Sequence, residues 1–299
     1  MAIPESQLET WCNQGAVTTS SQAYASIKAA IEHVNSDVKS VNPEVYLQGS
    51  YGNSTNIYAE SDVDVVVQLN SVWGRDLGAL SAPQKQAYEA SVANATYGAK
   101  EFRSDVLKSL QRYYGAQKVK VGPNAILVTT PNGRTVDVIA ALEYRNYIYF
   151  YSSASQLYVP GVRFENASGS TIINYPKPHI QNGESKNSQT RTNRRYKQTV
   201  RMFKNARSNL INNQKLADDI APSYFVECLL YNVPDNLFTG DRQQTFSDIW
   251  NYLWSKIDTA SAKCQNEQGL LFGDSPQQWT VNKAAVFFSA LKDLWNNWS

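Results

Sequence analysis

Apolar and polar positions along this chain follow two periods, and where the period changes marks the elements. Ile27, Ala30, Ile31 and Val34 recur three and four apart behind a pair of serines, which predicts a helix from Ser20 or Ser21 to about Asn35. A short strand is expected over Val45 to Gln48. Strict alternation follows in Asp62-Val-Asp-Val-Val-Val-Gln-Leu69, a strand with its valines facing one layer. Ser81-Ala-Pro83 reads as a helix start, with amphipathic helix over Gln84 to Ala95 and Lys100 to Tyr113 and a break near Gly98. Ala125 to Leu142 reads as a β-hairpin turning at Asn132-Gly133. Further strands are expected at Tyr147 to Tyr151, Leu157 to Phe164 and Ser170 to Ile173. There Tyr144, Tyr147, Tyr149 and Tyr151 read as sheet packing. The remainder has helical spacing: Gln189 to Asn212, Pro222 to Tyr231, Arg242 to Ile257 and Trp279 to Trp298. Between strands and helices, Tyr175 to Asn187 is rich in Pro and Gly and reads as a polar loop.

The alternating strand carries the first candidate chemistry. Side chains two apart on a strand share a face, so Asp62 and Asp64 lie about 7 Å apart on the side opposite Val63, Val65 and Val67. Two carboxylates at that range resist simultaneous ionisation unless a cation sits between them, and a hard divalent ion is the usual solution. Upstream, Gln48-Gly49-Ser50-Tyr51-Gly52-Asn53-Ser54-Thr55 supplies glycines for close backbone approach and hydroxyls for a bulky anion. Phosphate beside metal implies a nucleotide. The hairpin's return strand places Asp137 among valines, a third carboxylate that could complete a metal site and orient an attacking hydroxyl.

Composition narrows the classes. With 299 residues, 42% of them hydrophobic, the chain is long enough for one large or two modest lobes. The start of the sequence lacks the features of a secretory leader, and no apolar run approaches a membrane span, so a cytoplasmic protein without membrane attachment is expected. Three cysteines without Cys-x-x-Cys spacing argue against a disulfide framework or zinc cluster. Only His33 and His179 are available, which leaves metal chemistry to the carboxylates. Charge is unevenly spread. Lys186 to Arg207 holds eight basic residues and no acid, leaving 20 basic against 26 acidic residues elsewhere. Within it Lys197, Arg201 and Lys204 share a helix face, the expected counter-charge for a triphosphate.

Two blocks carry a resemblance. The Gln-Gly-Ser-Tyr-Gly-Asn-Ser-Thr turn with Asp-Val-Asp and the later Val-Asp-Val resembles the polymerase-β-type nucleotidyltransferases. The second block runs from Tyr175-Pro-Lys-Pro-His-Ile-Gln-Asn-Gly-Glu-Ser-Lys-Asn187 through Val200-Arg-Met-Phe-Lys-Asn-Ala-Arg207 to Pro222-Ser-Tyr-Phe-Val-Glu-Cys-Leu-Leu230. It is similar to the bacterial cGAS/DncV-like nucleotidyltransferases, the CD-NTases of anti-phage (CBASS) signalling, and to their clade E (CdnE). The resemblance implies an α+β, bilobed polymerase-β-like enzyme: a catalytic lobe over residues 1–188 and a helical lobe over 189–299. It implies that Gly49 and Ser50 hold the donor triphosphate, with Lys204 and Ser223 on further phosphate oxygens. Asp62, Asp64 and Asp137 would hold two Mg2+ ions, with Mn2+ able to substitute. Tyr224 falls where the family stacks a base, and His179 and Asn182 fall where a lid contacts bases.

The implied activity is synthesis of a cyclic dinucleotide or oligonucleotide from nucleoside triphosphates, ATP with UTP or another nucleotide, read by a cyclic-nucleotide-activated effector. No zinc-binding insertion of the animal DNA sensor is present, so no DNA activator is expected. Three other readings stay open at this stage: a template-independent RNA-tailing or oligoadenylate-type transferase, a toxin-system transferase acting on protein or tRNA, and a nucleotide- or RNA-binding module without catalysis.

Overall fold

The computed structural model describes residues 1–58, 63–275 and 277–298. In chain order the elements are α1 (Glu5–Cys12), α2 (Thr18–Glu32), β1 (Glu44–Gln48), α3 (Gly49–Gly52), β2 (Val63–Asp76), α4 (Ala82–Ser91), α5 (Ala99–Tyr114), β3 (Val119–Val121), β4 (Ile126–Thr129), β5 (Thr135–Ser152), β6 (Ser155–Glu165) and β7 (Thr171–Asn174). Helices follow: α6 (Pro176–Lys186), α7 (Gln189–Thr192), α8 (Tyr196–Asn212), α9 (Ser223–Tyr231), α10 (Arg242–Ser255) and α11 (Val281–Asn296). The fold is α+β. It divides into a sheet unit, Val17–Gly52 with Ser61–Pro178, and a helical unit, Met1–Ala16 with Asn53–Glu60 and His179–Ser299.

In the sheet unit the strands run β1-β2-β5-β4-β3, with β6 also on β5 and β7 on β6. Among the described residues of this sheet, only β2 and β5 pair in parallel. β5 is long enough to hold β4 on its outer edge over its first residues and β6 over the rest. The hairpin turn forms at the Asn-Gly pair: Gly133 has φ +80°, and the Asn132 side-chain oxygen accepts from the Arg134 amide at 3.3 Å. Val63, Val65, Val67 and Leu69 pack with Val136, Val138 and Ala140 against Ile27 of α2 and Phe102, Val106 and Leu110 of α5. The opposite face has a smaller core of Val66, Ile139, Ala141, Val162 and Phe164.

The helical unit is built around α8. Tyr196, Val200, Phe203, Ala206 and Leu210 are all buried, and α1, α9, α10 and α11 contribute to the same core. α1 is an element the periodicity did not reveal, being one and a half apolar turns (Leu8, Trp11, Cys12). Because those residues bury into the α8 core, residues 1–16 group with the helical unit, whereas a division at residue 188 keeps them with the sheet.

Three local expectations are corrected. α2 begins after Val17 with no side-chain cap, Ser20 lies inside the helix and buried, and Val34 falls beyond its end at 72% exposure. The 189–212 stretch is two helices, because Asn193 and Arg194 adopt left-handed backbone at φ 48° and 60°. The Tyr175–Asn187 stretch is mostly helix α6. Its two prolines sit in the first turn, where a helix needs no backbone N–H, so they start the helix and do not break it.

Candidate active site

The sheet register assembles the acidic part of the site. Gln48 pairs with Asp64 across β1 and β2, and Asp64 pairs with Asp137 across β2 and β5. The two aspartates are therefore direct neighbours on parallel strands, with backbones about 4.8 Å apart. Both are half-buried, and they project on the face opposite the α2/α5 core, as the alternation required. Gly49 follows Gln48 immediately, so the turn leaves the sheet beside Asp64. Its φ is +61°, and a Cβ built there would lie 2.4 Å from Asp64 Oδ2. The left-handed backbone favours glycine there, and a Cβ would in addition force the Asp64 carboxylate to turn away.

Ser50 lies in the single turn α3, whose Tyr51 is buried. Arg134, in the turn before β5, donates to the Tyr51 hydroxyl at 3.2 Å. Thus α3 is tied to the strand that carries Asp137. Asp62 lies outside the described residues. Among the described residues no group of three His, Cys, Asp or Glu side chains is placed to hold a metal. The donor chemistry nevertheless fits a hard divalent cation: two carboxylates side by side, with a notch kept open by a glycine where any side chain would fill it.

The helical unit gathers the remaining candidates around one carboxylate. Glu227 of α9 is 4% exposed. It accepts from Thr55 Oγ1 at 2.9 Å and pairs with His179 Nε2 at 3.1 Å. Burial pushes its carboxyl up, but the His179 hydrogen bond, the charges of His179 and Lys204 and the Thr55 hydrogen bond together hold it below its ordinary value. Lys204 is 1% exposed, and its ammonium donates to the Thr55 carbonyl at 3.0 Å. Arg201 donates to the carbonyls of Cys12 and Ser54, each at 2.6 Å, and Lys197 pairs with Glu184. The basic face of α8 is therefore built into the unit, where three cations fix carbonyls and a carboxylate.

His179 and Asn182 lie on α6. His179 is buried and stacks on Tyr224, with ring centroids 5.4 Å apart and planes at 23°. Asn182 donates from Nδ2 to the Gln265 carbonyl at 2.7 Å. Ser223 is the first residue of α9, and Tyr224 beside it is 41% exposed.

Glu227 and Gln265 escaped the sequence reading, and Thr55, read there as a hydroxyl for a bulky anion, is buried and donates to Glu227 instead. Glu227 had a signal, a lone acid in the apolar run Phe-Val-Glu-Cys-Leu-Leu, since a buried carboxylate demands partners. Gln265 has none, because its role arises only from packing.

A sheet of this order, with aspartates in register on its parallel pair and a Gly-Ser turn at their edge, defines a nucleotidyltransferase of the polymerase-β type. A family model, the cGAS/DncV-like nucleotidyltransferase C-terminal helical domain, matches residues 181–296. The cyclic UMP-AMP synthase of Rhodothermus marinus is 46% identical over 299 residues, covering 100% of this chain and 99% of that protein. Cyclic nucleotide synthase CdnE01 of Staphylococcus haemolyticus is 39% identical over 303 residues, with 100% of both chains covered. The solved structure of the Rhodothermus marinus CdnE c-UMP-AMP synthase with Apcpp and Upnpp aligns with a TM-score of 0.89 at 45% identity, over 99% of this chain and 98% of that one. This chain belongs to the cGAS/DncV-like nucleotidyltransferases, among the cyclic nucleotide synthases called CdnE.

Proposed function

We propose that this enzyme joins a uracil and an adenine nucleotide into a cyclic dinucleotide, releasing pyrophosphate at each transfer. The uracil–adenine pair rests on full-length similarity to the cyclic UMP-AMP synthase at 46% identity. The reaction type rests on one structural observation, the Asp64–Asp137 register pair beside Gly49.

Asp62, Asp64 and Asp137 would hold two Mg2+ ions, which when bound polarise the attacking and leaving oxygens of an in-line displacement. Asp137 helps take the proton from a 3′ or 2′ hydroxyl, whose oxygen attacks the α-phosphorus of a triphosphate. The bond from that phosphorus to the β-phosphate oxygen breaks, and pyrophosphate carries the electron pair away. Gly49 admits the phosphate chain close to the backbone, and Ser50 offers it a hydroxyl. A second transfer on the linear intermediate closes the ring. Lys204 and Ser223 serve the triphosphate in this reading, and Tyr224, with His179 and Asn182 behind it, serves the base. The product acts as a second messenger for a cyclic-nucleotide-activated effector in cytoplasmic anti-phage (CBASS) signalling.

The test is to incubate the protein with all four nucleoside triphosphates and Mg2+ or Mn2+, treat with phosphatase, and identify the survivors by mass spectrometry. A resistant cyclic species containing uracil and adenine is expected. A ladder of linear products would assign the chain to the tailing reaction instead, and a cyclic product of other bases would overturn the pair alone.

A further inference from the structure

Tyr224 is held from two sides. One ring face lies against the His179 imidazole. Its hydroxyl accepts from Asn266 Nδ2 at 3.5 Å, and its ring meets Phe225 edge-on, centroids 5.7 Å apart. The ring is therefore a fixed plane, and it remains 41% exposed.

What fixes the imidazole is narrower. His179 is 7% exposed, and its Nδ1 is buried with no hydrogen-bond partner among the described residues. Its ring orientation thus depends on one polar contact, Nε2 to Glu227 at 3.1 Å. A carboxylate opposite that nitrogen keeps a proton on Nε2. Glu227 is itself anchored, since its other oxygen accepts from Thr55 Oγ1 at 2.9 Å. Order passes in one direction, from a carboxylate locked by the fold, to an imidazole with a single tether, to a half-exposed phenol ring.

We propose that Glu227 is a positioning residue for nucleoside binding: through Nε2 of His179 it holds the imidazole that backs Tyr224, so that a base meets an aromatic face already ordered. The proposal rests on the functional reading above, in which Tyr224 stacks a base. The benefit of such an arrangement is preorganisation, because the ring need not be immobilised when the ligand arrives. It falls on binding and leaves the transfer chemistry to the aspartates, so KM should move and kcat should not.

The experiment measures calorimetric binding of non-hydrolysable UTP and ATP analogues to the full chain, with kcat and KM alongside. Glu227→Leu should weaken analogue binding about tenfold, the scale of one base-stacking contact, with kcat changed less than about threefold. Glu227→Gln keeps an oxygen that accepts from Nε2 and should recover binding to within about threefold of wild type. His179→Ala removes the imidazole itself while Thr55 and Lys204 still face Glu227, its folding is checked by a thermal melt, and it should also cost about tenfold. The Glu227→Leu/His179→Ala double variant should bind no more weakly than either single, because both act through one contact. Wild-type binding in folded His179→Ala or Glu227→Leu, or additive losses in the double variant, would overturn the proposal and make Glu227 a structural ion-pair partner only. Failure of the wild-type protein to bind either analogue would instead overturn the functional reading on which it depends.

Discussion

Asp64 and Asp137 are register partners on adjacent parallel strands, the placement that the proposed two-metal reaction requires of its carboxylates. Asp64→Asn and Asp137→Asn should each lower cyclic-product formation by about a hundredfold or more, the scale of losing one electrostatic stabiliser of the transition state. Neither should unfold the protein. Both side chains lie half-buried on the face opposite the α2/α5 core, so each variant should remain folded at the assay temperature. Product quantified by mass spectrometry, beside a thermal melt, separates the two effects. A variant that lost activity only by melting would argue against a metal-holding role.

Gly49→Ala should separate activity from stability in the opposite proportion to an ordinary loop change. A left-handed φ of +61° costs a residue with a Cβ about 1–2 kcal/mol, which a denaturant titration will register as a modest loss. The new methyl also lands 2.4 Å from Asp64 Oδ2, so the carboxylate must turn away. Turnover should fall by more than the stability loss alone accounts for, and it should not recover on cooling. Recovery of full activity at low temperature would mean that the carboxylate position is not critical.

How much of this was readable in advance depended on range. The acids, the Gly-Ser turn and the valine alternation are local patterns: β2 formed where the period of two required, and β4 and β5 on either side of the Asn-Gly turn. Asp137 was legible as a strand residue, but its pairing with Asp64 is a fact of sheet order that no local pattern carries. The α6 misreading has a specific cause: composition marked Pro176, Pro178 and Gly183 as breakers, although position decides. Prolines in a first turn initiate, and Gly183 is required by a neighbour 82 positions away, Gln265. The packing of the basic run was hidden for the same reason. Charge along a helix says nothing about whether carbonyls from Cys12, Ser54 and Thr55 will come to meet it.

Glu227 should give the protein an acid-sensitive step. Its carboxyl sits below the ordinary value of 4.5: burial raises it, but the His179 hydrogen bond, the neighbouring charges and the Thr55 hydrogen bond pull it lower. A carboxyl depressed in the folded state contributes stability that is fully present above its unfolded value and is lost as pH falls through the folded value. Glu227→Gln cannot titrate. The stability difference between parent and Glu227→Gln should therefore be constant near neutrality and shrink below about pH 4.5. Urea midpoints of both proteins from pH 7 to pH 3 check the sign, and a difference that grew on acidification would contradict it.

Gly183→Ala offers a test in which the local and tertiary terms have opposite signs. Replacing a mid-helix glycine by alanine normally stabilises by about 1 kcal/mol, because glycine loses more backbone freedom on folding. At position 183 the added Cβ would lie 2.6 Å from Gln265 Nε2. That amide is not free to move. Gln265 is fully buried, donates to the His179 carbonyl at 2.8 Å and accepts from the Tyr196 hydroxyl. Overpacking against such a group typically costs about 1–3 kcal/mol, enough to cancel the helical gain and leave a net loss. Gly133→Ala serves as the comparison, since its Cβ would meet nothing within 4 Å and the whole cost there comes from φ +80°. Both variants should melt below the parent. Only Gly183→Ala should also disturb nucleotide-analogue binding, because the Gln265 it displaces holds Asn182 through its carbonyl and the backbone of His179 through its amide. A Gly183→Ala protein more stable than the parent would mean that the Gln265 side chain yields readily, and that the network around His179 is less constrained than its hydrogen bonds indicate.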